Sequence, residues 1–164
     1  MPQNNKTKNL AISGILAALI FVFTYLIRIP VNNTGAYMNI GDSIIYCAGM
    51  LVGAPWAAAA SGIGSVFSDI LVGGGIYIPA TLIIKGLMGF VCATIMKRSK
   101  FPGFVLACIL GGAIMVAGYF IFEWFAFGWA YSTGTILFNL IQWVAGVAGA
   151  VALYYPVKRI KGMM

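Results

Sequence analysis

Acidic residues are almost absent from this chain: of its 164 residues, three are Asp or Glu, against ten Lys or Arg. Histidine is missing altogether, which excludes imidazole catalysis and histidine-bound metals. The three cysteines, Cys47, Cys92 and Cys108, lie inside apolar runs without paired spacing, so we interpret them as small packing residues. The sequence contains no nucleophile elbow, phosphate loop or metal-ligand cluster. No catalytic residues, metal or cofactor are therefore predicted.

What the chain does contain is apolar sequence. Hydrophobic residues make up 62% of it and charged residues 8%, with a mean hydropathy of +0.98. Soluble domains carry about 25% charged residues, so this composition excludes a soluble globule. We predict an all-α integral membrane protein formed by a single domain over residues 1–164.

Six apolar segments predict the membrane helices, at about 10–27, 43–54, 56–72, 79–96, 103–122 and 135–157. The second and third are short for spanning helices, which need about 17–25 residues. A re-entrant pair with four spanning helices is therefore the alternative. The polar, aromatic connection "EWFAFGWAYSTG" is predicted to separate the last two helices.

Basic residues lie at the ends of these segments and not in a nucleic-acid-binding pattern. Clusters of this kind mark the cytoplasmic side of a membrane protein. If all of them are cytoplasmic, each interval must hold an even number of crossings, which favours six helices with both termini inside. The clusters are Lys6 and Lys8, then Lys97, Arg98 and Lys100, then Lys158, Arg159 and Lys161.

Two charged residues fall within the apolar segments, where a charge is costly and is a functional hypothesis by default. Asp69 and Lys85 are predicted at similar depth on neighbouring helices, so a structural ion pair is expected. Direct contact between Lys85 and a ligand is the alternative. Tyr77 and the other aromatic residues of the outer connections form either an interfacial belt or part of a site.

A polar stripe marks the last helix. Thr135, Asn139, Gln142 and Gly146 recur at helical spacing beside Trp143, so this face must contact protein or a cavity rather than lipid. Hydrogen bonding between helices explains such a stripe without a ligand. Together with Tyr119 and Glu123 of the fifth helix, the stripe would instead line a pocket for a small aromatic heterocycle.

The first helix contains two overlapping pairs of small residues. Ser13 and Ala17 form one pair and Gly14 and Ala18 the other, and such pairs allow two helices to approach closely. They serve either docking of another protein or packing within the chain.

Nearly the whole chain resembles the substrate-binding S components of energy-coupling factor (ECF) vitamin transporters, in the riboflavin, hydroxymethylpyrimidine and pyridoxine branch. The resemblance is carried by three stretches. These are "SGILAALIFV" in the first helix, "MNIGDSIIYCAGMLVGAPWAAAASGIGSVFSDILVG" through the second and third, and "YIPATLIIKGLMGFV" in the fourth. The family has an Ala-xxx-Ala pattern in the first helix, where this chain has Gly14 and Ala18.

The resemblance implies a six-helix, non-enzymatic binder in a prokaryotic cell membrane that passes its vitamin to a membrane coupling subunit and two cytoplasmic ATPases. It implies capture of the vitamin on the outer side, under a loop after the first helix. A pocket with one carboxylate and amides fits hydroxymethylpyrimidine or a pyridoxine-type ring best, and riboflavin second. A self-sufficient ion-coupled secondary transporter is the alternative. Asp42 is expected to cap the second helix. The candidate ligand contacts are Asn39, Tyr77, Lys85, Tyr119, Glu123, Asn139, Gln142 and Trp143.

Overall fold

The structure, a computed structural model, describes residues 3–31, 35–97 and 100–163. Arg98 of the second basic cluster lies outside these residues. The elements are α1 (Gln3–Leu26), β1 (Arg28–Pro30), β2 (Tyr37–Asn39), α2 (Asp42–Leu51), α3 (Ala54–Val72), a 3₁₀ turn (Gly75–Tyr77), α4 (Ile78–Met96), α5 (Phe101–Phe127) and α6 (Trp129–Met163).

Five of the six helices are long and apolar enough to cross a membrane, and α2 is the exception. With 10 residues and a rise of about 1.5 Å per residue, α2 reaches only about half of the hydrocarbon thickness. Nearly all of α2 is buried by other helices, so its ends meet protein rather than lipid. Only the second predicted segment is therefore short, since α3 has 19 residues.

The predicted connection between the last two helices is wrong. Helix α5 continues to Phe127 and α6 begins at Trp129, leaving Gly128 as the break. Gly128 has φ 93°, a left-handed conformation that glycine adopts without strain. The segment has no proline, and its aromatic side chains pack across the break, as in the contact between the Trp124 and Trp129 rings at 5.3 Å. Its few polar residues were therefore not enough to end either helix. Ser132 then ties the two helices together by donating to the Phe120 carbonyl at 2.7 Å.

The first connection contains the one departure from an all-α structure within the described residues. Strands β1 and β2 form an antiparallel hairpin in which Arg28 pairs with Asn39. Gly35 lies against the connection between α3 and α4, where an added Cβ would be 3.0 Å from the Gly74 Cα. Its φ of 91° also favours glycine. This close approach holds the hairpin over the ends of α3 and α4.

Helix α2 contributes to the centre of the hydrophobic core. Tyr46 is fully buried beside Met88 and Met115, which come from α4 and α5. Gly49 permits the approach of α4, since an added Cβ would be 2.8 Å from the Ala93 backbone nitrogen. The three cysteines are free and buried, which confirms their interpretation as packing residues.

The two small-residue pairs of α1 face different ways. Ser13 is buried, and the Ala17 carbonyl lies so close to α3 that a Cβ on Gly64 would be 2.5 Å from it. An added Cβ on Gly14 meets nothing within 4 Å, and Ala18 is exposed. Ser13 and Ala17 therefore pack within the chain, which favours the packing interpretation for this pair, whereas Gly14 and Ala18 are accessible.

Candidate ligand pocket

A pocket lies between the hairpin and the helices that surround it. Its empty space is about 530 Å³, a figure that includes open solvent at its mouth. Side chains from α1, α3, α4, α5 and α6 all reach it. The lining residues are Thr24, Val31, Gly35, Ala36, Tyr37, Met38, Asn39, Ser65, Asp69, Tyr77, Thr81, Lys85, Tyr119, Glu123, Thr135, Phe138, Asn139 and Gln142.

A buried ion pair forms one wall. Lys85 Nζ lies 2.5 Å from Asp42 Oδ1, and both side chains are at most 3% exposed. Gln142 Nε2 donates to the second oxygen, Asp42 Oδ2, at 2.8 Å. The predicted pair of Lys85 with Asp69 is therefore wrong, because the short α2 inserts between α4 and α6 and brings Asp42 to the lysine first.

Asp42 lies in the first turn of α2, as the predicted complement to the helix dipole requires, but its predicted capping hydrogen bond is wrong. The residue preceding α2 is Gly41, and no side chain caps the helix. Both carboxylate oxygens of Asp42 are instead engaged by α4 and α6. Asp42 does not line the pocket; it lies behind Lys85, which does.

Asp69 faces the pocket as a partly satisfied carboxyl group. Its Oδ1 accepts a hydrogen bond of 2.7 Å from the Tyr37 hydroxyl of the hairpin. Its Oδ2 is buried and has no hydrogen-bond partner among the described residues. Burial, then the neighbouring Asp69, raise the pKa of Tyr37, so this phenol remains a donor. One acceptor on Asp69 is left for a ligand.

Glu123 is the second carboxyl group of the pocket, and the protein holds it on both sides. Oε1 accepts from the Tyr77 hydroxyl at 3.2 Å, and Oε2 accepts from the Thr135 hydroxyl. The Tyr77 ring in turn packs 6.3 Å from that of Tyr119, centroid to centroid. A carboxyl group fixed in this way beside two aromatic rings can accept from a ligand through its remaining lone pairs.

The polar stripe of α6 faces the pocket. Gln142 Oε1 accepts a hydrogen bond of 3.1 Å from the Asn39 backbone nitrogen, which attaches the hairpin to α6. Asn139 Nδ2 is buried and has no partner among the described residues. Trp143 points away, since its Nε1 donates to the Cys108 carbonyl at 3.3 Å. The predicted ligand contact of Trp143 is therefore wrong, because one residue rotates the side chain by about 100° around a helix.

The structure thus brings seven of the predicted contacts to one pocket and leaves out Trp143. Sequence reasoning missed Thr24, Ser65 and Phe138 as lining residues. Thr24 and Ser65 left a weak signal, as polar residues in apolar helices, whereas nothing in the sequence distinguishes Phe138 from other apolar residues. Buried carboxyl and amide groups beside aromatic rings, inside a helical membrane protein, define a membrane-embedded subunit that binds a small molecule.

Comparison with known proteins identifies the class of subunit. The family model described as "ECF-type riboflavin transporter, S component" matches residues 4–159. The chain belongs to this family, whose members bind a vitamin and work with the membrane subunit and ATPases of an ECF module. The protein is therefore a multi-pass membrane transport component and not an enzyme. Membership of this family favours an S component over the alternative of a self-sufficient ion-coupled transporter.

Individual relatives cover most of the chain. An uncharacterised protein in the gap 3′ region of Pyrococcus woesei is 30% identical over 84% of this chain and 93% of its own length. The thiamine precursor transporter HmpT of Lactococcus lactis subsp. cremoris is 29% identical over 96% of this chain and 92% of its own length.

Solved structures share the fold. FolT bound with folic acid has a TM-score of 0.72 at 19% identity, covering 93% of this chain and 94% of FolT. The S component for biotin of an ECF-type ABC transporter has a TM-score of 0.68 at 20% identity, covering 99% of this chain and 95% of that protein. These likenesses support the helical membrane fold that the sequence predicted.

Proposed function

We propose that this S component captures a small, uncharged nitrogen heterocycle, with the hydroxymethylpyrimidine precursor of thiamine first. A pyridoxine-type ring is second and riboflavin third. The observation that carries the proposal is the buried, unpartnered Nδ2 of Asn139 in a pocket walled by aromatic rings. An unpaired buried amide costs free energy, which a hydrogen bond to ligand would recover.

The chemistry of an aminopyrimidine fits these groups. Its exocyclic amine donates and its adjacent ring nitrogen accepts, a pattern that an Asn amide matches with two hydrogen bonds, as it does on adenine. The free oxygen of Asp69 can accept from a hydroxymethyl group, and Tyr119 offers a ring for stacking. The similarity to a thiamine precursor transporter over 96% of the chain supports the same ring.

Charge argues against an anionic ligand. Among the described residues that line the pocket, one is basic, Lys85, and Asp42 already neutralises its charge. The remaining ionisable acids of the lining, Asp69 and Glu123, supply no positive charge. A ring that carries a phosphate or carboxylate would therefore lose its hydration without gaining a cation.

Titration calorimetry of the purified protein tests the ranking. We expect hydroxymethylpyrimidine to bind most tightly, then pyridoxine, then riboflavin. Asn139→Leu, which keeps the branched shape but removes both hydrogen-bonding groups, should weaken binding by about 1–3 kcal/mol through the lost hydrogen bonds. Thr133→Val is the control, because Thr133 is on the same helix but exposed and bonded to its own turn. Tighter binding of riboflavin, or full affinity in Asn139→Leu, would overturn the proposal.

We also propose that Gly14 and Ala18 form the docking face for the membrane coupling subunit. Both lie on the exposed face of α1, which points away from the other helices of this chain. An added Cβ at Gly14 meets nothing within 4 Å. The absence of large side chains there would let a partner helix approach closely. Helix α1 would then contact the coupling subunit with one face and α3 with the other.

A further inference from the structure

We propose that Asp42 sets the charge selectivity of the pocket through Lys85, without touching the ligand. This inference rests on the binding function proposed above and names the residue that makes the site reject phosphorylated and carboxylated rings. Asp42 is thus a positioning residue for Lys85.

Asp42 lies behind two side chains that line the pocket, Lys85 and Gln142. Lys85 lines the pocket, with its Nζ 5.6 Å from the centre of the Tyr119 ring. Asp42 lies behind it at 2.5 Å and is itself 0% exposed. Gln142 holds the other Asp42 oxygen at 2.8 Å. The lysine is therefore drawn toward the protein interior and faces the ligand as half of a neutral pair.

Helix α6 packs closely against this ion pair. An added Cβ on Gly146 would come within 3.0 Å of the Asp42 Cβ, so α6 excludes solvent from that side. In a poorly solvated site, an unpaired lysine would attract an anion strongly at close range, even at the effective dielectric of protein interiors. Removing the charge of Asp42 should convert a site that rejects anions into one that accepts them.

A structural role for Asp42 makes a different prediction from a selective one. If Asp42 merely supports the fold, its replacement lowers the affinity for neutral and anionic ligands by the same factor. If Asp42 cancels the charge of Lys85, the ratio of the two affinities changes. The quantity that tests the proposal is therefore the ratio of the affinity for the anionic ligand to the affinity for the neutral ligand, and not either affinity alone.

The experiment compares two matched ligand pairs in calorimetry and thermal-shift assays: hydroxymethylpyrimidine with its phosphate monoester, and riboflavin with flavin mononucleotide. In Asp42→Asn we expect the ratio to move toward the phosphorylated ligand by about tenfold or more. The double variant Asp42→Asn with Lys85→Met should return the ratio to the wild-type value. A parallel loss of both affinities in Asp42→Asn, repeated when Asp69 is also neutralised, would overturn the proposal.

Asp69 requires a control, because its free oxygen could receive Lys85 once Asp42 is neutral. An unchanged ratio in Asp42→Asn is therefore followed by Asp42→Asn with Asp69→Asn, and an unchanged ratio there overturns the proposal. If Asp42→Asn does not fold, Lys85→Met is measured instead and should shift the ratio toward the neutral ligand; no shift overturns the proposal. Wild-type protein that prefers riboflavin would contradict the substrate proposal alone, since the second ligand pair still tests Asp42.

Discussion

Charged side chains are buried at the pocket end of this molecule and exposed at the opposite end, where the basic clusters lie. All three side-chain carboxyl groups, those of Asp42, Asp69 and Glu123, are buried near the pocket, at 0%, 3% and 2% exposure. Lys97 and Lys158, at the far ends of α4 and α6, are exposed. A buried charge needs a partner at a fixed position, whereas an exposed charge needs only water or lipid headgroups. Charge at the pocket therefore specifies structure, and charge at the other end is predicted to specify the orientation in the membrane.

The largest effect is expected for the side of the membrane from which each end of the molecule can be labelled. Lys100→Cys and Gly75→Cys, each on a background without the native cysteines, should react with an impermeant thiol reagent only from the cytoplasm and only from outside, respectively. Both positions are exposed, and a side chain at Gly75 meets nothing within 4 Å. Labelling of both positions from one side would refute the predicted orientation.

The largest energetic contrast is expected between two lysines. Lys85→Met should lower the free energy of unfolding by about 3–5 kcal/mol, because it leaves the buried Asp42 carboxylate without its counter-ion. Lys97→Met should change stability by less than about 0.5 kcal/mol, because the side chain is exposed. Thermal unfolding in detergent measures both. Equal effects would mean that the ion pair does not distinguish the pocket from the basic end.

A smaller contrast is expected across α1. Gly64→Ala should destabilise the protein by about 1–3 kcal/mol, because the new methyl group would overlap the Ala17 carbonyl. Gly14→Ala has open space and should stabilise the helix by up to about 1 kcal/mol.

The same face of α1 allows docking to be separated from folding. Gly14→Trp combined with Ala18→Trp should leave ligand affinity near the wild-type value, yet abolish copurification with the coupling subunit and uptake in cells. Loss of ligand affinity together with uptake would instead show that this face packs within the chain.

The sequence by itself determined the class and the number of helices, because both depend on local properties. An apolar run of about 20 residues can satisfy its backbone hydrogen bonds as a helix whatever its neighbours are. Helical spacing likewise identified the polar stripe that includes Asn139 and Gln142, which the structure turns toward the pocket. The connection before α6 escaped this reasoning because one glycine was enough to separate two helices.

Tertiary structure alone decided which polar groups meet. Lys85 pairs with Asp42 from 43 residues away, and Gln142 reaches the same carboxylate from 100 residues away. The similar depth of Asp69 and Lys85 on neighbouring helices predicted an ion pair between them, but the insertion of the short α2 brought Asp42 into contact with Lys85 instead. Packing also decided which small pair of α1 faces α3, and that Trp143 lies outside the pocket. These outcomes depend on the rotation and insertion of whole helices, which are set by contacts between segments far apart in the chain and are not encoded in any one segment.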